Sequence, residues 1–369
     1  MSQPIVVSVD LPGRAYTVEI GAGLLAQVGP LLAHLVGARR AMVVSDSIVG
    51  PFYGDRISEN LARAGFGVTL ATIEAGEASK SLDVAAELYD ILAKDRFERG
   101  EPIVALGGGV VCDVAGFVAA TWMRGVPFIA CPTTLEAMID AAVGGKNAVN
   151  RPAGKNLVGT FHQPVIVVAD TDCLATLPPR DFTAALAESV KHGVIADATF
   201  VEWHEKNAAA IVKREAAVVA KLIARNCEIK ASIVVTDERE AAATGPGRAA
   251  LNFGHTIGHA LESASGFDLR HGEAVALGMI AELELAIRRC GFSRAERDRI
   301  ERLMASLGLM TRSSRPINAA EVMEHILMDK KRSGRSVRFV VPPRPGQGVW
   351  LDGVSTADIE AALARLRPM

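Results

Sequence analysis

Along roughly the first 170 residues, short apolar, β-branched runs alternate with longer stretches whose apolar positions recur every three or four residues. The runs "IVVSV", "YTVEI", "RAMVVSD", "GVTLATI", "PIVALGGG", "PFIACPTT" and "PVIVVAD" have the length and composition of strands. Between them, "GDRISENLARAG" and "LDVAAELYDILAKD" gather apolar side chains on one helical face. This alternation predicts an α/β domain with a mostly parallel sheet, whose ligands sit beyond the carboxyl ends of the strands. From about residue 180 the pattern becomes helical, over roughly 180–196, 199–207, 214–239, 248–264, 271–290 and 294–307. Strands return only in "VRFVVP" and "GVWLDGV". The prolines of "DTDCLATLPPRD" place a boundary that gives an N-terminal α/β domain, 1–177, and a mainly α-helical C-terminal domain, 178–369.

Composition narrows the function classes. A chain of 369 residues is long enough for two cores, and a formal net charge of −2 argues against a nucleic-acid or membrane-surface partner. The five cysteines are scattered with no C-x-x-C spacing, as expected of reduced thiols. The segment "MSQPIVVSVD" lacks the features of a signal peptide, and no apolar run reaches the length of a membrane span. The expectation is a cytoplasmic protein.

Candidate chemistry begins at "IVALGGGVVCDVAGF", a strand, three glycines and a helix. Gly108 and Gly109 would let the backbone approach a phosphate at the positive end of that helix, although a tight turn alone would also use them. Asp113 falls in the first helical turn, where it favours the helix dipole or meets a cofactor or a nearby lysine. Asp46 ends a strand, where it either caps the next helix or accepts from a ribose hydroxyl. Glu77 and Lys80 lie in "EAGEASKS", and Thr133 and Thr134 follow another strand as caps or nucleotide contacts. Two glycine–lysine loops, one around Asp140 and Lys146 and one around Lys155 and Asn156, suggest an anionic ligand. Lys191 stands beside Glu188, and Lys230 and Arg248 lie among apolar residues, which a doubly anionic substrate explains better than solvation.

In "NFGHTIGHALE", His255 and His259 share a helical face, and His271 opens the next helix. With Glu188 they make a plausible divalent-metal set, because catalytic zinc takes three protein ligands of this kind. The spacing equally suits interhelical hydrogen-bonding groups. The sequence is not H-E-x-x-H, which argues against a metalloprotease.

Ten ordered segments, among them "GEASKS", "GGGVVCDVAGF", "PTTLEAMIDAAVGGKNAVN", "GKNLVGTFHQP", "TLPPRDFTAALAESVKHG", "LNFGHTIGHALE" and "HGEAVALGM", resemble the 3-dehydroquinate synthase family of sugar phosphate cyclases. The resemblance implies a Rossmann-like N-terminal domain, a helical C-terminal domain, NAD and a divalent ion, zinc or cobalt. It implies metal ligands at Glu188, His255 and His271, leaving His259 to the substrate phosphate and to proton handling. It implies NAD contacts at Asp46, Glu77, Lys80, Gly108, Gly109, Asp113, Thr133, Thr134, Lys155 and Thr176. Substrate contacts would fall on Asp140, Lys146, Asn156, Lys191, Lys230, Arg248, Asn252 and Lys330 or Lys331. Arg124 would enter a neighbouring subunit's site, implying a homodimer.

The reaction implied is that of a lyase of the shikimate pathway. It turns 3-deoxy-D-arabino-heptulosonate 7-phosphate into 3-dehydroquinate by transient oxidation, phosphate elimination, reduction and aldol closure. Departures from the family pattern are Cys112 for glycine, "KNAVN" for "KTGVN", Glu136 in "TTLEAMID" and the lengthened "EAAATGPGR". Competing readings are a cyclase forming 2-deoxy-scyllo-inosose or a valiolone, and a metal-dependent alcohol dehydrogenase of the glycerol dehydrogenase type.

Overall fold

The computed structural model describes residues 3–37, 39–242, 244–266, 268–333 and 337–367, with the side chains of 328–333 outside that description. The chain divides into two compact units, one of Met1–Leu177 with Ala220–Val235 and one of Pro178–Val219 with Thr236–Met369.

The first unit is built on a seven-stranded sheet. In chain order its strands are β1 (Ile5–Val9), β2 (Tyr16–Gly21), β3 (Arg40–Asp46), β4 (Gly67–Ile73), β5 (Ile103–Gly107), β6 (Phe128–Pro132) and, after the hairpin β7 (Lys146–Arg151) and β8 (Gly154–Phe161), β9 (Ile166–Asp170). The spatial order is β1-β2-β9-β6-β5-β3-β4, with β1 antiparallel to β2 and the other neighbours parallel. Strands β5, β6 and β9 are buried at every position, as parallel strands covered on both faces must be. Helices α1 (Val28–Leu35), α2 (Gly50–Arg63), α3 (Leu82–Lys94) and α4 (Gly109–Thr121) connect the early strands, and α2, α3 and α4 pack against them.

The second unit carries α5 (Pro179–Ala196) and α6 (Ala198–Val212). Helix α7 (Ala216–Thr236) follows, most of it grouped with the first unit. Then come α8 (His255–Ala264), α9 (His271–Cys290), α10 (Arg294–Ser306), α11 (Ala319–Ser333), the hairpin β10 (Phe339–Arg344) with β11 (Gln347–Leu351), and α12 (Thr356–Ala364). Helix α9 is buried along most of its length, which is why its sequence is apolar on nearly every side. Among the described residues no helix is long and apolar enough to cross a membrane.

Four sequence expectations change here. The single helix expected over 248–264 is broken into a 3₁₀ turn, Gly247–Asn252, and α8. The break is at Gly254, whose φ of 80° is left-handed and where a Cβ would lie 2.6 Å from Met279 Cγ. The two glycine–lysine loops are the two strands of one hairpin, β7–β8. Helices α11 and α12 were not anticipated.

Helix α5 is anchored on α6 through His204, which is fully buried. Its Nδ1 faces the Phe200 carbonyl at 2.6 Å and its Nε2 meets Ser189 Oγ at 2.8 Å. Nδ1 must donate to the carbonyl, so Nε2 accepts from the serine and the ring is neutral. Burial lowers the His204 pKa to about 4. Because the folded value lies below the unfolded one, stability from this group is complete above about pH 6.5 and is lost as pH falls toward 4. We expect His204→Gln to flatten the pH dependence of unfolding by about 2 kcal/mol between pH 7 and pH 5, measured by denaturant titration of both proteins at each pH.

Candidate active site

In the first unit, the groups expected to hold a nucleotide gather at the carboxyl ends of β3, β5 and β6. Gly107 ends β5 because a Cβ there would press on Val111 Cγ2 at 2.5 Å, so this glycine serves packing. Gly108 is the N-cap of α4 and no side chain caps it, leaving the first-turn N–H groups and the helix dipole for an anion. The Lys80 ammonium pairs with Asp113 in the first turns of α4. Burial pushes the Asp113 carboxyl up, and Lys80 opposes the shift. Thr133 Oγ1 is buried and has no hydrogen-bond partner among the described residues, an arrangement that fits a contact to a bound cofactor. Thr134 Oγ1 instead accepts from Ala137 N at 3.2 Å. Asp46 Oδ1 accepts from the backbone of Ile48 and Val49 at 2.9 and 2.8 Å, the capping role. Thr176 Oγ1 meets Tyr53 Oη at 2.8 Å.

The cations of this unit are positioned individually. Asp140 lies in a π-helical turn, Ala137–Ala141, a geometry that recurs at functional sites. Lys230 of α7 pairs with its carboxylate and donates to its carbonyl at 2.5 Å. Lys146, Lys155 and Asn156 are exposed on the β7–β8 hairpin. Arg124 is exposed at the end of a 3₁₀ turn, Trp122–Arg124, with φ 67°.

In the second unit, Glu188, His255 and His271 converge. Glu188 is completely buried on α5, and its Oε2 pairs with Lys191, one turn along the same helix and itself 1% exposed. Burial favours the neutral acid, but the Lys191 ammonium together with His255 and His271 outweighs it and holds the Glu188 carboxyl well below the usual range. The other oxygen, Oε1, lies 3.4 Å from His255 Nε2 and 3.5 Å from His271 Nε2. Ligands about 2.0–2.1 Å from a tetrahedral zinc are about 3.3–3.4 Å apart, so these separations are close to the edges of such a site.

Each imidazole is oriented from its far nitrogen. His255 Nδ1 faces the Phe253 carbonyl at 3.2 Å, and His271 Nδ1 faces Glu262 Oε2 at 3.5 Å. An acceptor at Nδ1 fixes the proton there and leaves Nε2 as the ligand atom. Burial, reinforced by Lys191, lowers the His255 pKa to about 3, so the ring is neutral as a ligand must be. His259 is exposed, and its ring nitrogens come within 4.8 Å of those of His255 and His271. Both histidines of the i,i+4 pair therefore face the same place, and the Glu188 separations favour the carboxylate, His255 and His271 as the set able to hold an ion.

Two carboxylates that support this cluster were not singled out in the sequence. Glu262 orients His271. Glu282, wholly buried on α9, accepts from Gly254 N at 2.6 Å and Ile257 N at 3.1 Å and so caps α8 just where His255 begins it. Burial pushes its carboxyl up to about 8, against those backbone donors. The sequence signal for this role was an acid at position 282 set among apolar residues of α9. Arg248 is 2% exposed, its backbone N–H donating to Asp237 Oδ2 at 2.9 Å and its Nη1 to the Glu238 carbonyl at 2.8 Å. Asn252 Nδ2 lies 3.4 Å from Glu240 Oε1. The side chains of Lys330 and Lys331 lie outside the description.

Residues 70–184 match the 3-dehydroquinate synthase N-terminal family and residues 185–332 the 3-dehydroquinate synthase C-terminal family. A 3-dehydroquinate synthase of Desulforamulus reducens is 43% identical over 360 residues, 97% of this chain and 99% of the relative. The chain belongs to the 3-dehydroquinate synthase family. Among solved structures, the 2-epi-5-epi-valiolone synthase of Streptomyces hygroscopicus subsp. jinggangensis, with NAD+ and Zn2+ bound, is 28% identical, with a TM-score of 0.84 over 95% of this chain and 96% of that one. A 2-deoxy-scyllo-inosose synthase complexed with carbaglucose-6-phosphate, NAD+ and Co2+ is 25% identical, with a TM-score of 0.89 over 98% of this chain and 100% of that one.

Within the 3-dehydroquinate synthase pattern, the departures of this chain fall on packing. Cys112 is 2% exposed, and burial drives its thiol up, so it is inert. Asn147 of "KNAVN" is buried and donates to the Gly145 and His162 carbonyls at 3.0 and 2.9 Å. The lengthened run before Arg248 is held at both ends by Asp237, whose Oδ1 accepts from Ala241 N at 2.7 Å.

The geometry separates the two histidines of α8 experimentally. Metal content after zinc loading and gel filtration should fall to background for His255→Ala and stay near wild type for His259→Ala. Glu262→Gln should weaken zinc about 10- to 100-fold by removing the orienting carboxylate, read by competition with a chromogenic chelator. Equal metal loss in the two histidine variants would contradict this assignment.

Proposed function

We propose that this chain converts 3-deoxy-D-arabino-heptulosonate 7-phosphate to 3-dehydroquinate and phosphate. The observation that carries the reading is a buried carboxylate oxygen at tetrahedral-edge distance from two oriented imidazoles, in a chain that matches 3-dehydroquinate synthases along nearly its whole length. The enzyme is a carbon–oxygen lyase. Glu188, His255 and His271 hold a divalent ion, zinc or cobalt. Gly108 and Gly109 receive the pyrophosphate of NAD, with Glu77, Lys80, Asp113, Thr133 and Lys155 among its other contacts. When bound, NAD supplies a hydride acceptor that is restored within each cycle, and the ion supplies Lewis acidity.

The residues of this chain bind, orient and move protons. The substrate carries a carboxylate and a phosphate, and Lys146, Lys191, Lys230 and Arg248 neutralise them so that the reacting carbon is held in register. Arg248 suits a carboxylate, because its planar fork gives paired donors and its backbone is fixed by Asp237. Asp140 holds the Lys230 ammonium in place through an ion pair and a carbonyl. His259 stands beside the metal ligands without being one of them, and hydrogen-bonds the phosphate while handling its proton. Lys191 keeps Glu188 anionic. Five free thiols support a reducing compartment, the cytoplasm.

The buried Arg248 favours a sugar acid over the carboxylate-free substrates of the related cyclases. Phosphate release should therefore be seen with the heptulosonate phosphate and be negligible with glucose 6-phosphate or sedoheptulose 7-phosphate. It should need only catalytic NAD, accumulate no NADH, stop with chelator and return with zinc or cobalt. Comparable release from either alternative sugar would assign the chain to another cyclase, and stoichiometric NADH from a simple alcohol would make it a dehydrogenase.

We further propose a homodimer in which Arg124 completes the second copy's site. Arg124→Ala and His255→Ala proteins, each inactive alone, should recover roughly a quarter of wild-type activity when unfolded and refolded together, since half the dimers are mixed and each has one whole site. No recovery would place Arg124 in its own subunit's chemistry or outside it.

A further inference from the structure

Asn150, near the end of β7, is half-buried and makes three hydrogen bonds. Its backbone N–H donates to the Lys80 carbonyl at 2.7 Å. Its side-chain Nδ2 donates to Glu77 Oε1 at 2.7 Å, and its Oδ1 accepts from the backbone N–H of Asn156 at 2.8 Å. A carboxylate can only accept and a backbone N–H can only donate, so the amide has one permitted orientation, and an ionised carboxylate in its place could not donate to Glu77.

The partners are not incidental. Glu77 and Lys80 flank the short turn before α3, and the Lys80 ammonium is paired with Asp113 in α4. Asn156 sits across the hairpin in a left-handed conformation, φ 56°, which asparagine adopts more readily than most residues with a side chain. Its amide is fixed in that conformation by Asn150. One side chain therefore joins the Glu77–Lys80 turn to the start of β8.

We propose that Asn150 is a positioning residue that couples NAD binding to the start of strand β8, where Asn156 lies. Ordering of Glu77 against the cofactor is transmitted through the amide to the backbone of Asn156, and ordering of Asn156 is transmitted back. Linkage requires the effect to be reciprocal. The inference rests on the proposed reading of Glu77 as a cofactor contact and Asn156 as a substrate contact.

The test is a double-mutant cycle on the zinc-loaded full chain, with NAD affinity read by isothermal titration calorimetry. Asn150→Asp removes the donor and sets two carboxylates face to face. It should raise the NAD Kd about tenfold in the Glu77 background. In the Glu77→Gln background it should cost less than about threefold, because the glutamine amide can donate to the new carboxylate. Asn150→Ala, which introduces no charge, should raise both the NAD Kd and the substrate KM several-fold. The same Asn150→Asp factor in both backgrounds, or an Asn150→Ala protein with unchanged Kd and KM, would overturn the inference. So would a lowered thermal midpoint in every variant without that background dependence. The single variant Glu77→Gln separates the two levels. An unchanged NAD Kd removes Glu77 from the cofactor site and the link with it, whereas a weakened Kd with no interaction between the positions removes only the link.

Discussion

A carboxylate taken wholly out of water is stable in its charged form only if charge and hydrogen bonds are waiting for it, since an unpaired buried ion costs several kcal/mol. Glu188 is such a group, and much of the second unit's local structure answers its needs. Lys191, one turn along α5, takes one oxygen. The other oxygen is directed at two imidazoles brought from α8 and α9. The start of α8 is fixed in turn by Gly254, where a side chain would collide with Met279, and by Glu282, which caps the helix from α9. Glu262 then sets the ring of His271. Each of these contacts bears on the geometry of the proposed ligand set.

The first unit meets a different demand, the delivery of backbone donors and cations to one edge of a parallel sheet. Its central strands are apolar throughout and fix where their carboxyl ends fall. The polar groups beyond those ends are organised as pairs. Lys80 is matched to Asp113, Lys230 to Asp140, and Asn150 to both Glu77 and the backbone of Asn156. Paired cations of this kind keep their positions before a ligand arrives, which lowers the ordering cost of binding.

Much of this was legible in the sequence, for identifiable reasons. The strands of the sheet show as short apolar runs, and the long helices as a 3.6-residue period. The i,i+4 spacing of His255 and His259 showed that they share a face, but spacing could not divide their labour. That division came from the resemblance and stands as a proposal. Asn150, Glu262 and Glu282 were not found because each acts across elements far apart in the chain, where no periodicity records it. The β7–β8 hairpin was missed because its outward positions are glycines, lysines and asparagines that read as loop. The break before α8 depends on one glycine whose need is visible only once α9 is packed beside it.

The central claim is that one carboxylate and two imidazoles hold the ion while the third nearby imidazole does not. X-ray absorption at the zinc edge of the zinc-loaded, substrate-free protein tests this directly, because imidazole rings give outer-shell scattering that can be counted. Two imidazoles are expected, with the remaining nearest neighbours oxygen, about 2.0–2.2 Å away. A spectrum with three imidazoles, from His255, His259 and His271 together, would contradict it.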